Sequence, residues 1–400
     1  MDPCLKGLRV LDLSRVLAGP WATQLLADLG AEVIKIERPD TGDDTRAWGP
    51  PFVTGRGPDD LFSAYFLSAN RGKKSVAVDF ATAEGRDIVA RLSARCDVVV
   101  ENFKVGGLKR LGLDYDALSR DNQGLIYCSI SGFGQTGPEK DKPGYDLLVQ
   151  AMGGLMSITG ASDGEPMKVG VAVADILTGL YATVAILAAL HERRTSGRGQ
   201  HIDLALLDVQ IATLANQAMN FLASGENPAR HGNAHPNIVP YQAFATSDGH
   251  IVVAVGNDGQ FARFVSALGL AALADDPRFR RNADRVANRA TLVGAVSDRL
   301  ATMTKGEVLD RLSATGVPAG PINGMDEVFA QPQVVERGPV RTASLGADAG
   351  FVKLMANPIR FSRTPLAPIS APPRLGEHTA EVIAALVDLD DAGNDGSLDR

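Results

Sequence analysis

The chain has 400 residues, enough for two domains or for one large and one small. Hydrophobic residues make up 45% and charged residues 22%, the balance of an ordinary globular protein rather than a disordered or fibrous one. A formal net charge of −7 argues against a nucleic-acid binder, although local basic patches can still hold phosphate. Cys4, Cys96 and Cys128 are odd in number and lack metal spacing, so they read as reduced thiols in a cytosol-like compartment. The opening MDPCLKGLRVLDLS has no charged-then-apolar signal region and no Arg-rich transit pattern, and a cytoplasmic location is expected.

In chain order, residues 8–13 (LRVLDL) predict a buried strand, and a helix follows from about Pro20 to 29, stopped by Gly30. Residues 32–37, 74–80, 97–102 and 125–131 predict further strands, with an amphipathic helix over 83–95. This alternation predicts an α/β fold with a parallel sheet, right-handed crossovers, and a ligand site outside the carboxyl ends of the strands. Helices are expected over 145–156, from about Ala174 or Asp175 to Arg194, and over 202–222. Residues 225–240 (GENPARHGNAHPNIVP) look like a linker or site loop. A hairpin over 243–254 turns at Asp248-Gly249, and helices over 260–268, 291–302 and 306–314 complete a smaller α+β domain. The domain reading is 1–224, 225–325 and 326–400, with a last helix over 377–386 and an acidic, frayed tail.

The stretch 170–194 (GVAVADILTGLYATVAILAALHERR) is apolar on every face and predicts a buried helix. Residues 172–190 are long enough to cross a membrane, but they contain Asp175, Thr178, Gly179 and Thr183, and no second such stretch exists. Asp175 at its start has two compatible readings. One is an N-cap; the other is a nucleophilic carboxylate kept ionised by the free N–H groups of the helix start.

Other chemistry is narrowed by absence. The turn after the first strand reads SRVLAGP (14–20), not the glycine fingerprint of dinucleotide enzymes. There is no P-loop, no Gly-x-Ser-x-Gly elbow and no His/Cys/Asp cluster with metal spacing, so no metal is expected. Arg38, Arg71, Lys73, Lys74, Asn102, Phe103, Lys104, Arg110 and Lys142 fall beside predicted strands. Each alone reads as a surface charge; together they suit a phosphate-bearing ligand, with Phe103 as core or as an adenine stack.

Nine blocks in collinear order resemble the class III CoA-transferases, the CaiB/BaiF family. They are RVLAGPWATQLLADLGAEVIKIERPDTGDDTR (15–46), NRGKKSVAVDF (70–80), DVVVENF (97–103), CSISGFGQTGP (128–138), GYDLLVQAMGGLMSITG (144–160), VAVADILTGLYA (171–182), RTSGRGQHIDLALLD (194–208), GVPAGPIN (316–323) and LGEHT (375–379). TRAWGPPF (45–52) and AHPNIVPYQAF (234–244) look most like the succinyl-CoA:glutarate, or dicarboxylate, branch. The resemblance implies a Rossmann-like large domain, a small domain and an interlocked homodimer, acting on acyl-CoA and a small carboxylic acid, with no metal. It implies that Asp175 is the nucleophile, passing through an aspartyl-CoA intermediate. It also implies that CoA is held by Ala18, Arg38, Asn102, Phe103, Arg110, Lys142 and Tyr145, and by backbone at Val78, Asp79, Phe80 and Ala81. Lys104 is grouped with this set.

Arg46, Trp48, Arg15 and His235 are candidates for the far carboxylate of a dicarboxylate, each also readable as a surface or interface residue. Leu17 replaces a Gln of formyl-CoA transferases, and Tyr145 replaces a His of α-methylacyl-CoA racemases. Racemisation is therefore the second reading, and a non-catalytic or redox nucleotide-binding protein the third.

Overall fold

Six parallel strands form the centre of the larger of two compact units in the computed structural model, which describes residues 1–347 and 349–395. They are β1 (Arg9–Asp12), β2 (Glu32–Glu37), β3 (Lys73–Ala77), β4 (Val98–Glu101), β5 (Ile126–Ser131) and β6 (His201–Ala205). Their spatial order is β3-β2-β1-β4-β5-β6, the doubly wound arrangement whose direction reverses between β1 and β4. Strand side chains alternate between two apolar layers. Val98, Val100, Ile126 and Cys128 face one, while Val99, Tyr127 and Leu125 face the other.

The α/β reading of the sequence matches this sheet, with two elements misread. Residues 202–222 are not one helix: they open with β6, continue as Leu206–Ala212, and restart at Ala215–Ser224 after Ala215 takes a φ of +48°. The alternation in His-Ile-Asp-Leu-Ala carried the strand signal, masked by the helix-forming residues after it. The helix expected over 145–156 likewise breaks at Gly153–Gly154 into Asp146–Met152 and Leu155–Ile158.

Helices cover both layers. α1 (Ala18–Asp28) and α2 (Ala83–Ser93) follow β1 and β3, and α3 (Asp146–Met152) leads into α4 (Val173–Ser196). α4 runs along α1 because Gly179 lets the backbones meet. A Cβ there would stand 2.7 Å from the Ala18 carbonyl oxygen and 3.0 Å from Trp21 Cβ. Ala174, Thr178, Ala182, Ile186 and Ala189 bury their side chains on this face. The expectation of all-round burial does not hold within this unit: Leu180, Tyr181 and Val184 lie open on another side.

The turn after β1 is held by ions rather than by glycine. Asp12 and Lys73 form a fully buried pair at 2.9 Å, and Lys35 pairs with Asp43 at the same distance. Lys35 also donates to the Ser14 carbonyl at 2.7 Å, and Asp43 accepts the Val16 N–H. Val16 is a β-branched residue at φ +70°, a conformation costing on the order of 1–3 kcal/mol that these contacts hold in place.

Residues Gly338–Arg400 belong to the larger unit. The LGEHT segment lies along β3, an outer strand of the sheet. The His378 N–H donates to the Ser75 carbonyl at 2.9 Å, and the Ala77 N–H donates to Thr379 Oγ1 at 2.9 Å. This covers an edge that would otherwise offer unpaired backbone groups. The final helix runs over Thr379–Asp395, through the first part of the tail read as frayed, whose residues 396–400 lie outside the described residues.

The smaller unit comprises Met156–Lys168 and Asn220–Arg337, so its limits differ from the 225–325 of the sequence reading at both ends. Its hairpin, Tyr241–Thr246 with Gly249–Ala254, is antiparallel, and Ala319–Pro321 adds a third strand. Phe244, Ile251, Phe261, Phe264, Val296 and Leu312 form its core. The segment 156–168 joins through Gly160 and Ala161, which accept from Gly232 and Arg230.

Gly179→Ala is expected to destabilise the protein by about 1–3 kcal/mol, because α1 and α4 must part. Gly294→Ala, in the exposed middle of the helix Arg289–Leu300 with open space around it, should instead gain about 0.5–1 kcal/mol. Urea titration of both variants checks the contrast.

Candidate active site

At the point where strand order reverses, a cavity of about 320 Å³ opens at the carboxyl ends of β1 and β4. Its walls include Leu17 and Ala18 from the α1 start, Asn102, Phe103 and Lys104 after β4, Lys142 and Tyr145 before α3, and Asp175 of α4. A second cavity of about 280 Å³ is lined by Arg38, Val78, Asp79, Phe80 and Ala81. Arg15 and Phe103 are common to both, so the two form one elongated recess within the larger unit.

Asn102 ties the rims of this recess together. Its side chain accepts the Arg15 N–H at 2.9 Å and donates to the Arg15 carbonyl at 2.7 Å. The Arg15 guanidinium stands 5.2 Å from the Phe103 ring centroid, and Phe103 meets Phe80 edge-on at 5.7 Å. A flat aromatic wall beside Arg15, Arg38 and Lys104 suits a nucleotide with phosphates.

Asp175 is the third residue of α4, not its N-cap. Ala172 holds the cap position and has no capping side chain. Asp146 takes over that role from α3, accepting the Ala174 N–H at 2.8 Å and the Asp175 N–H at 3.4 Å. Asp146 is itself fixed by Gln150 at 2.7 Å, and Gln150 Oε1 accepts the Val169 N–H at 2.9 Å.

This arrangement reverses the expected electrostatics of Asp175. The helix N–H groups that were to keep it ionised are engaged by another carboxylate. Burial, and then the charge of Asp146, push the Asp175 carboxyl up to about 7. A carboxyl group so poorly solvated, and open to a cavity, has the character of a candidate nucleophile.

The structure separates the other sequence candidates. Ala18, Asn102, Phe103, Lys104, Lys142 and Tyr145 line the first cavity, with Arg38 and residues 78–81 in the second. Arg110 lies exposed in a short turn and lines neither. Arg71, Lys73 and Lys74 sit at the amino end of β3, the wrong edge for this site; they pair with Asp28, Asp12 and Glu32.

Arg46 is engaged elsewhere. It forks onto Glu37 at 2.7 and 2.8 Å, donates twice to the Pro373 carbonyl, and lies 3.8 Å over the Phe66 ring. Trp48 is 40% exposed and meets Tyr65 edge-on at 5.0 Å. His235 belongs to the smaller unit. There its Nδ1 accepts the Asn237 N–H at 3.1 Å, and its carbonyl accepts Arg289 at 2.8 Å.

Two residues escaped the sequence reading. Asp146, the second acid, was marked only by its place at a helix start. Tyr65, whose hydroxyl is raised by burial and then by Asp175, stands on the short helix Ala64–Ala69, and no motif singled it out. Among the described residues no group of three or more His, Cys, Asp or Glu has metal-binding geometry.

The raised Asp175 carboxyl carries a sign for stability. Its folded value lies above the ordinary 3.8, so its favourable contribution is full below that value and is lost as pH rises through about 7. Asp175→Asn should therefore melt at a higher temperature than wild type at pH 8.5. The gap should narrow as pH falls through 7, as read by calorimetry.

Residues 5–379 match CoA-transferase family III. The chain is 53% identical over 384 residues to a succinate–glutarate CoA-transferase of Agrobacterium fabrum, covering 96% of each. It is 45% identical to the human succinyl-CoA:glutarate CoA-transferase, over 97% of this chain and 87% of that one. A crystal structure of a CaiB/BaiF family protein from Brucella suis superposes with a TM-score of 0.85 at 51% identity, over 96% of this chain and all of that one. A Rossmann-type switch point, a recess shaped for a nucleotide and a desolvated carboxylate thus sit in a chain that belongs to CoA-transferase family III and is a CoA-transferase.

Proposed function

We propose that this enzyme moves CoA from succinyl-CoA to a dicarboxylate such as glutarate, with Asp175 as the covalent nucleophile. The observation that carries the reading is the position of the Asp175 carboxyl on the cavity lined by Ala18, Asn102, Phe103 and Lys142. The names of the similar enzymes from A. fabrum and human support the choice of donor and acceptor.

An Asp175 oxygen attacks the thioester carbonyl, the C–S bond breaks, and CoA leaves as thiolate from a mixed anhydride. The thiolate then attacks the aspartyl carbonyl carbon, releasing the donor acid and leaving an aspartyl-CoA thioester. The acceptor carboxylate attacks that thioester to form a second anhydride and expel thiolate. The thiolate attacks the acceptor acyl carbon, giving the product thioester and regenerating Asp175. No bond to water forms in any step, so the apolar neighbours of Asp175 serve to keep water away. The first turn of α1, with amides that have no partner within the helix, borders the same cavity and can steady the oxyanions.

CoA lies along the elongated recess in this reading. Its adenine end is placed at Arg38, Phe80 and Phe103, and its thioester end at Asp175. Arg15 is the favoured partner for the far carboxylate: its Nη1 pairs with Asp44 but its Nε is buried without a hydrogen-bond partner, whereas all three Arg46 nitrogens are engaged. Two copies are proposed to interlock as a homodimer. Support comes from the apolar side of α4, where Val184 is 65% exposed, and from Leu147 and Leu148 of α3.

Asp175→Ala is expected to abolish exchange between succinyl-CoA and glutarate, while hydroxylamine traps an activated enzyme acyl group in wild type only. The rate in wild type should rise with pH through about 7, as the attacking carboxylate loses its proton. A panel of acceptor acids read by mass spectrometry checks the substrate class; turnover of no dicarboxylate would overturn it.

A further inference from the structure

A third cavity, of about 230 Å³, adjoins the first and shares Lys104 and Val105 with it. Glu101, Ser129 and His201 stand together in its lining. Glu101 ends β4 and faces Ser129 across the β4–β5 ladder; the two are 6% and 3% exposed. The Glu101 carboxylate accepts the Phe103 N–H at 2.7 Å, and the Ser129 hydroxyl nearby favours its charged form. Ser129 Oγ in turn lies 2.9 Å from His201 Nε2.

A hydroxyl has one hydrogen, so Ser129 points it either to His201 Nε2 or toward Glu101, as the His201 tautomer dictates. When Glu101 takes up a proton, the Phe103 N–H is left facing a neutral carboxyl group instead of an anion. Charge-assisted hydrogen bonds are roughly twice as strong as neutral ones, so the two states hold Phe103 differently.

Phe103 is the wall common to both parts of the CoA recess, and its neighbour Asn102 clamps Arg15. Glu101 is therefore one hydrogen bond from the nucleotide walls without lining them. We propose that Glu101 is a positioning residue for acyl-CoA, acting through the Phe103 backbone, with its carboxyl group open to the side cavity beside Ser129 and His201. The proposal rests on the functional reading above.

Burial pushes the Glu101 carboxyl up to about 7 in spite of the Phe103 N–H and the Ser129 hydroxyl, so its charge changes in the neutral range. The groups around it are Tyr127 and Cys128 on β5, His201 on β6, and Lys104, Lys109, Asp114, Tyr115 and Asp116 of the covering segment. Burial lowers His201, which Asp203, Asp116 and Asp114 oppose.

The test is CoA binding by the full chain, titrated calorimetrically from pH 6 to pH 8.5 for wild type, Glu101→Gln and Ser129→Ala. At pH 8.5 Glu101→Gln should bind CoA about fivefold more weakly than wild type, the loss expected for one charge-assisted contact made neutral. At pH 6 the two should converge, since wild type is then neutral at this position too. Titration of CoA and of Asp175 is common to both proteins and cancels in the ratio. A ratio that stays constant over the range marks a merely structural role and overturns the proposal, as does a ratio of one throughout.

Ser129→Ala removes the hydroxyl that favours the anion. It should move the midpoint of the wild-type pH dependence upward, and an unmoved midpoint overturns the proposal even if Glu101→Gln fails to fold. Absence of CoA binding by wild type would overturn the functional reading and this inference together, whereas binding without the expected pH dependence overturns this inference alone.

Discussion

The site depends on two ion pairs with no access to water. Asp12 with Lys73, and Lys35 with Asp43, sit beneath the turn that follows β1. Burying four charges is unfavourable in itself, and a packed apolar replacement is often as stable. What these pairs provide is geometry: Lys35 grips the Ser14 carbonyl and Asp43 grips the Val16 amide, so a valine is held where glycine would be usual. Removing one partner from such a pair costs on the order of 3–5 kcal/mol, more than the strain it restrains. The network thus selects one shape for residues 14–18, and that shape sets the mouth of the cavity. Burial alone would raise Asp12, but Lys73, Lys35, Ser14 and Thr23 outweigh it and draw it down to about 2. Its negative charge therefore persists far below neutral pH.

The second constraint is the meeting of two carboxylates at the start of α4. Asp146 satisfies amides that Asp175 would otherwise use, which leaves Asp175 with less hydrogen bonding and a neighbour of like charge. Helix capping and the raised Asp175 carboxyl are therefore one arrangement, divided between two acids. Gly179, one turn further on, allows the approach to α1 that sets Asp175 against the α1 N-terminus. Sheet topology, capping and close packing converge on one carbon atom.

Much of this was legible in the sequence, for identifiable reasons. Five of the six main strands are short apolar runs bounded by turns, and period alone locates them. Asp175 stood out because a single acid opened a long hydrocarbon stretch. Its pKa was not legible: helix position suggests stabilisation of the anion, and only the fold reveals that Asp146, distant by 29 residues, occupies the helix end. Arg46 shows the same limit. Its place beside Trp48 suggested a substrate fork, yet its partners Glu37 and Pro373 lie 9 and 327 residues away. The strand His201–Ala205 was lost because local helix propensity spoke louder than a five-residue alternation. The Glu101–Ser129–His201 cluster spans three strands and has no linear signature at all.

The strap formed by Gly376–Thr379 carries a consequence for biogenesis. It satisfies groups on β3 that are made some 300 residues earlier, with contacts from residue 376 back to Ser75 and from 379 back to Ala77. On a ribosome emitting the chain from its N-terminus, the sheet can assemble as far as its rim, but the rim stays bare while some 300 further residues are made. An uncovered strand edge held for that interval invites mispairing, so the nascent enzyme is most in need of chaperone shielding along β3.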